Sequence, residues 1–268
     1  MTSGMAAVHG TSIYYESLGQ GPTVVLIHAG VADSRMWDGT FEALAERFHA
    51  IRFDIRGFGR SAMPPGRFSY HADLAALLDH LGASRASLIA CSFGGQIAID
   101  FAISYPDRVR SLVLVSAGIG GRKPSDEMIR FGDEEDALLG RGDVEAATEL
   151  NVRTWVDGPR RSKDDVDPSV RERVRVMQRE LFQVSAPEGV ERVRLEPPAV
   201  GRLGEIRAPA LVIVGEYDMR DMLDAGDLLA STIPRARKVV FPDAAHLVSM
   251  ERPERFLELA VGFLEEPV

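Results

Sequence analysis

Six residues, Ala90-Cys91-Ser92-Phe93-Gly94-Gly95, constrain this chain more than any others. They follow an apolar run, Ser87-Leu88-Ile89-Ala90-Cys91, that reads as a buried strand. They precede Gln96-Ile97-Ala98-Ile99-Asp100-Phe101-Ala102, whose spacing is helical. A serine between a strand and a helix, with small residues two positions to either side, fits the sharp turn that lifts a nucleophile above a sheet. Bulky flanks would clash in such a turn. Ala90 and Gly94 meet that need, although glycine is more usual at the first position. The same residues also suit an ordinary strand-to-helix turn with a serine N-cap, so the rest of the chain has to decide.

That rest has a strand-helix rhythm. Thr23-Val24-Val25-Leu26-Ile27 is apolar without alternation, as in a strand buried on both faces. Leu112-Val113-Leu114-Val115 reads the same way. Further strands are predicted at Ile13–Tyr15, Ala50–Phe53, Ala210–Gly215 and Lys238–Phe241. Between them, Arg35–Arg47 spaces Trp37, Phe41, Leu44 and Phe48 for one helical face. Other helices are expected from Ser69 to Leu81, from Asp221 to Ser231, and from Pro253 to Phe263. Alternating strands and helices imply parallel strands joined by crossovers.

The fold class is therefore α/β: a mostly parallel sheet covered by helices on both faces. From Gly120 to Gly204 no strand-like run occurs. That stretch is charged and helical in pattern, with breakers at Gly140-Arg141-Gly142, Gly158-Pro159 and Pro197-Pro198, and helix starts at Asp143 and Pro168. Residues 1–119 and 205–268 are thus expected to form the core, and 120–204 an inserted helical cap.

Composition narrows the partners. A formal net charge of -9 disfavours a nucleic-acid partner, which needs clustered lysine and arginine. Cys91 is the only cysteine, so no intrachain disulfide forms, and a reducing cytoplasm is the simplest location. The N-terminal stretch is a poor signal peptide, and no apolar run approaches the roughly 20 residues of a membrane helix. Neither metal-ligand spacing nor a dinucleotide or P-loop fingerprint is present, so no cofactor is expected. The expected partner is a small-molecule substrate. Self-association into a homo-oligomer is compatible with this composition.

The residues just past the predicted strand ends are those an acyl-transfer site needs. A serine hydroxyl requires a base, and the base an anion that fixes its tautomer. Of six histidines, His49 and His80 lie in or beside predicted elements away from the rim. His9 and His71 lie in polar, exposed surroundings. At His28 the backbone before a glycine turn is expected to matter more than the ring. His246, between the last strand and the last helix, is the best base. Asp218, past the penultimate strand, is preferred as the acid over Glu216 and over Asp243, which lies too near His246 in a tight loop. The amides of Phe93 and Gly30 are placed to hold an oxyanion. Trp37, Met128, Phe131, Trp155, Phe182, Tyr217 and Leu247 are the candidates for pocket lining.

With these residues in place, the chain resembles the α/β-hydrolase superfamily. The order Ser92, Asp218, His246 is that family's order of nucleophile, acid and base. Val24-Val25-Leu26-Ile27-His28-Ala29-Gly30 is similar to its oxyanion strand and loop. Asp54-Ile55-Arg56-Gly57-Phe58-Gly59-Arg60-Ser61 is similar to its D-x-R-G-x-G-x-S turn, and His246–Pro253 to its catalytic-histidine segment. The insertion falls where the family carries its cap. Serine at position 92 argues against the dehalogenase and epoxide-hydrolase branches, which need a carboxylate there. The resemblance implies a serine hydrolase acting on carboxylic esters or lactones. It leaves two alternatives: a carbon-carbon bond hydrolase of a diketone, and a receptor of the same fold without turnover.

Overall fold

The computed structural model describes residues 1–184 and 187–267. A hairpin of β1 (Thr2–Val8) and β2 (Thr11–Leu18) opens the chain. Next come β3 (Thr23–Ile27), α1 (Asp38–Leu44), β4 (His49–Phe53), β5 (Gly66–Phe68) and α2 (Tyr70–His80). The first half closes with β6 (Ala86–Cys91), α3 (Phe93–Ser104) and β7 (Val109–Val115). The insertion then carries α4 (Asp126–Gly140), α5 (Val144–Asn151), α6 (Pro168–Phe182) and β8 (Val190–Arg192). The core resumes with β9 (Ala210–Gly215), α7 (Arg220–Thr232), β10 (Ala236–Phe241), α8 (Val248–Glu251) and α9 (Pro253–Leu264). Eight strands form one sheet in the order β1-β2-β4-β3-β6-β7-β9-β10. It is antiparallel over the first three strands and parallel from there on.

Side-chain alternation along the central strands builds two cores. Val25, Ile27, Leu88, Ala90, Leu112 and Leu114 join one core with residues of α2, α3 and α7. Val24, Leu26, Ile89, Cys91, Val113 and Val115 join the other with residues of α1 and α9. Every second residue serves each face, which is why these strands read as unbroken apolar runs. Cys91 and its neighbour Ala90 accordingly point to opposite faces.

Several elements differ from the sequence reading. Arg35–Arg47 is not one helix. Asp33 caps a 3-10 turn, Ser34–Trp37, by accepting the Arg35 amide at 2.9 Å, and α1 begins only afterwards. The insertion does contain a strand. β8 pairs in parallel with β5, placing Arg192 opposite Phe68. Three residues, two of them charged, carry no strand signal of their own. Asp143 and Pro168 do start helices: the Asp143 carboxylate accepts the Ala146 amide, and Pro168 is the first residue of α6. Beyond α5 the chain continues as a π-helical stretch, Val152–Asp157. Among the described residues no helix is long and apolar enough to cross a membrane.

The turn after β4 is wired into the core by buried charges. Asp54 accepts the Ser34 amide at 2.9 Å and the Arg60 amide at 2.8 Å. Gly59 holds φ +50°, and a Cβ there would meet Asp54 Oδ2 at 2.4 Å. Arg56 donates through Nε and Nη2 to both oxygens of Asp73 on α2, at 2.6 and 2.8 Å, with both side chains buried. Asp73→Ala leaves that guanidinium buried and unpaired and is expected to cost about 3–5 kcal/mol. Urea unfolding checks this, and a loss below about 1 kcal/mol would contradict it.

On α3, Asp100 is buried with Oδ1 unpartnered. Burial pushes its carboxyl up to about 6, with Arg192 pulling weakly the other way. A raised native value means that stability falls as pH rises from about 4 through about 6, because the native state must then bury a charge. Asp100→Asn is therefore expected to stabilise the protein at pH 8 by about 1–3 kcal/mol. The advantage should fade below pH 4. Denaturant curves at both pH values test this, and a destabilised variant at pH 8 would refute it.

Candidate active site

Ser92 sits between β6 and α3 with φ +53° and ψ -112°, a left-handed conformation that non-glycine residues seldom adopt. Backbone hydrogen bonds hold it there. Its amide donates to Val115 O at 2.9 Å, and its carbonyl accepts from Gln96 at 3.1 Å and Gly118 at 3.0 Å. The two glycines that follow allow the helix to press into the sheet edge. A Cβ on Gly94 would lie 2.5 Å from the carbonyl oxygens of both Ile27 and His28. One on Gly95 would lie 2.4 Å from Ala117 Cβ. This close approach brings the first amide of α3, that of Phe93, beside the loop after β3. A Cβ on Gly30 of that loop would lie 3.5 Å from Phe93 Cβ. Opening amides of a helix have no acceptor within it, so they are available to an anion.

His246 lies in the loop after β10. Its Nδ1 is 2.9 and 3.0 Å from the two carboxylate oxygens of Asp218. Both side chains are almost wholly buried, and Asp218 Oδ1 also accepts the Met219 amide at 2.8 Å. A nitrogen bonded to a carboxylate carries the ring proton, so Nε2 holds the lone pair. The loop packs against β6, the strand that leads into Ser92: the His246 carbonyl is 4.0 Å from Cys91 Sγ. It also packs on the end of β9, where a Cβ on Gly215 would lie 1.9 Å from Ala245 O. The rivals for the acid are engaged elsewhere or exposed. Asp243 is bound by Arg252 at 2.5 Å and Arg255 at 3.9 Å, and the Arg252 guanidinium holds its carboxyl below the usual range. Glu216 points into solvent. Burial pushes the Cys91 thiol well above its ordinary value, so it is no nucleophile at neutral pH.

Two residues passed over in the sequence reading shape the site. The His28 ring is fully buried, and its Nε2 accepts the Ile55 amide at 2.9 Å. Nδ1 must then carry the proton and donates to Ala29 O at 2.8 Å. Burial lowers its pKa and keeps it neutral. The imidazole thus ties the loop after β3 to the turn after β4, so the ring, expected to matter less than the backbone here, has a structural role of its own. Glu251 on α8 accepts the Ala245 amide at 2.8 Å and pairs with Arg161 of the insertion at 2.6 Å. It clamps the His246 loop from below. The other histidines stay away: His9 bonds Asp73 at 3.2 Å, and His80 is exposed. His71 is half-buried against Tyr105, not exposed as expected.

Of the lining candidates, Trp155 comes closest to the chemistry. Its ring centroid is 4.5 Å from that of His246, and Phe131 meets it edge-on at 5.3 Å. Met128 is half-buried one turn from Phe131. Tyr217 carries Arg161 over its ring at 5.1 Å, and Phe182 is half-buried at the end of α6. Trp37 is corrected. It is fully buried against Phe256 of α9, because the 3-10 turn directs it into the core. Leu247 is likewise wholly enclosed. Beside the site a cavity of about 500 Å³ opens between the core and α6, bounded by Asp33, Arg35, Phe58, Met177 and Glu180. Phe58 divides it from Phe93, ring centroids 6.1 Å apart.

A family profile described as alpha/beta hydrolase fold matches residues 22–253. The chain belongs to the alpha/beta hydrolase family. It is 30% identical to the pimeloyl-[acyl-carrier protein] methyl ester esterase of Chromobacterium violaceum, over 95% of this chain and 98% of that one. It is 32% identical to a 2-hydroxy-6-oxononadienedioate/2-hydroxy-6-oxononatrienedioate hydrolase of Paraburkholderia phymatum, over 94% and 90%. Among solved structures, the enol-lactonase of Burkholderia xenovorans superposes with a TM-score of 0.80 at 26% identity, covering 98% of this chain and all of that one.

The geometry separates the two aspartates experimentally. Asp218→Asn keeps the shape but favours the wrong ring tautomer and is expected to lower kcat on an ester about 10⁴-fold. Asp243→Asn, which loses only exposed ion pairs, should change it less than about threefold. Comparable losses in the two variants would overturn the assignment.

Proposed function

We propose that this alpha/beta hydrolase cleaves small carboxylic esters or lactones through an acyl-enzyme on Ser92. The observation that carries the reading is the buried Asp218–His246 pair, both carboxylate oxygens within 3.0 Å of Nδ1, on a loop packed against the end of the strand that presents Ser92. His246 Nε2 takes the hydroxyl proton as Ser92 Oγ attacks the ester carbon. Asp218 holds the ring in the needed tautomer and stabilises the imidazolium. The oxyanion of the tetrahedral intermediate accepts hydrogen bonds from the amides of Phe93 and Gly30. His246 then protonates the leaving alkoxide. Water, deprotonated by the same ring, frees the acid and restores Ser92. Every step uses side chains, backbone amides and water alone. Trp155, against the imidazole, walls the site with an apolar face contributed by the insertion. The relatives named as an esterase and a lactonase support this choice of substrates. We place the protein in the cytoplasm, which suits its single buried thiol.

An organophosphonate should form one covalent adduct, and peptide mapping should find it on Ser92. A panel of p-nitrophenyl esters, lactones and diketones should show turnover of esters or lactones that Ser92→Ala abolishes. Turnover confined to diketones would replace the reading with carbon-carbon hydrolysis. Binding of esters without any Ser92-dependent acid release would replace it with a receptor.

A further inference from the structure

Half-buried arginines in this protein are generally paired with carboxylates: Arg52 with Glu16 and Asp38 at 2.5 Å, Arg171 with Asp157 and Glu149 at 2.7 Å, Arg161 with Glu251 at 2.6 Å. Arg192 is different. It ends β8 and is half-buried, and while its backbone pairs with β5, its guanidinium forms no hydrogen bond or ion pair with any described residue. Its guanidinium carbon lies 4.9 Å from the ring centroid of Tyr70 and 5.1 Å from that of Phe93. The two rings strip water from the cation, and burial lowers its pKa from the ordinary arginine value. The charged groups around it do not neutralise it. Tyr70 would attract it most as a phenolate, but burial pushes that hydroxyl above its ordinary value and keeps it neutral at ordinary pH. Arg194 repels it, and Asp100 attracts it more weakly than Arg194 repels. His71, also within reach of its field, offers no negative charge.

A desolvated cation without a counter-ion is a costly arrangement for a fold to keep. Its position gives it a use. Phe93, on whose ring it stacks, follows Ser92 and supplies the amide assigned to the oxyanion. Phe93 is thus shared between the guanidinium on its ring and the oxyanion site at its amide, which sets Arg192 against the side chain of the residue next to Ser92. The planar fork of a guanidinium matches a carboxylate through two parallel hydrogen bonds, and stacking on aromatic faces fixes its plane. We propose that Arg192 binds a carboxylate carried by the substrate, so that the preferred substrates are small esters or lactones bearing a free carboxylate. This rests on the reading of Ser92 as the hydrolytic nucleophile.

The test compares esters matched in length and differing only in charge. The pairs are p-nitrophenyl hemisuccinate against butyrate, p-nitrophenyl hemiglutarate against valerate, and 3-acetoxypropionate against propyl acetate. The first two carry the carboxylate on the acyl side and the third on the alcohol side, so the responding pair identifies which half of the substrate Arg192 holds. The quantity read is the ratio of kcat/KM for the charged to the neutral member. Both members meet the same enzyme molecules, so any loss of folded protein cancels. Wild type should favour the charged member of at least one pair. Arg192→Met should lower that ratio at least tenfold, Arg192→Lys should restore part of it, and 1 M salt should reduce it in the wild type. A wild-type preference for the neutral member in all three pairs, or a ratio that Arg192→Met leaves within twofold, would overturn the inference while leaving the hydrolase reading intact. Absence of Ser92-dependent turnover on every ester would instead bring down the hydrolase reading itself.

Discussion

Much of this structure depends on how near the first turn of α3 comes to the end of β3. A Cβ on Gly94 would lie 2.5 Å from two carbonyl oxygens there, so only glycine permits the contact. The contact fixes where Ser92 stands, and Ser92 meets it with a positive φ that costs of order 1–3 kcal/mol. The cost is offset by what surrounds the turn. β6 is flanked by β3 and β7, and β7 supplies the Val115 carbonyl that fixes the Ser92 amide. A strained residue persists where its surroundings over-determine the backbone, as the neighbours on both sides of β6 do here. The same sheet order brings β9 and β10 to the other side of β7, so that the loops carrying Asp218 and His246 lie at the same end of the sheet as Ser92, the His246 loop against Cys91.

That order explains which parts were legible in the sequence. The central strands are buried on both faces, so burial writes them as unbroken apolar runs, as in Thr23–Ile27 and Leu112–Val115. The site residues sit one to five positions beyond such runs, and their residue types are restricted by chemistry. Ser92, Asp218 and His246 could therefore be proposed as a site without knowing which strands were neighbours. What escaped depends on pairing between distant segments. β5 and β8 are three residues each and lie more than 100 residues apart, so neither has a local pattern, and Arg192 could not be placed beside Phe93. His28 gains its role from Ile55, 27 residues on, and a histidine bonded to a backbone amide looks like any other in sequence. Trp37 was misplaced for a local reason. Asp33 caps a 3-10 turn, and the tighter winding rotates the indole inward relative to a helix.

The insertion raises a question of energetics, since its composition is dominated by charge. Its outer ion pairs, Arg35 with Glu180 and Arg173 with Asp38, join it to the core through largely exposed groups, and pairs of that kind contribute roughly 0–1 kcal/mol. They orient more than they hold. The adhesion comes from Val152, Val156, Val170, Val174 and Met177, which lie in the same apolar cluster as Leu26, Val113 and Phe241 of the sheet. Each such side chain buried contributes about 1.5–3 kcal/mol. A charged surface and an apolar underside describe the helices of the insertion well: the polar face is solvated or internally paired, as Arg171 is with Glu149 and Asp157, and the other face is core.

One buried contact crosses between these two regimes. Arg161 belongs to the insertion, Glu251 to the segment after the catalytic loop, and the pair they form is almost fully enclosed. Glu251 spends its other oxygen on the Ala245 amide, next to His246. Trp155, six residues before Arg161, lies against the His246 ring itself. His246 is therefore held from three sides: by Asp218 of the core, by Glu251 below its loop, and by an indole from the insertion. Two of those three holds involve the insertion. A displacement of the insertion large enough to reshape the pocket must either break the Arg161–Glu251 pair, stranding a buried charge, or carry the His246 loop with it. In the proposed mechanism, the insertion and the position of the His246 ring are in this way mechanically joined. The region of the chain that looks least like an enzyme in sequence is consequently part of what holds the His246 imidazole in place.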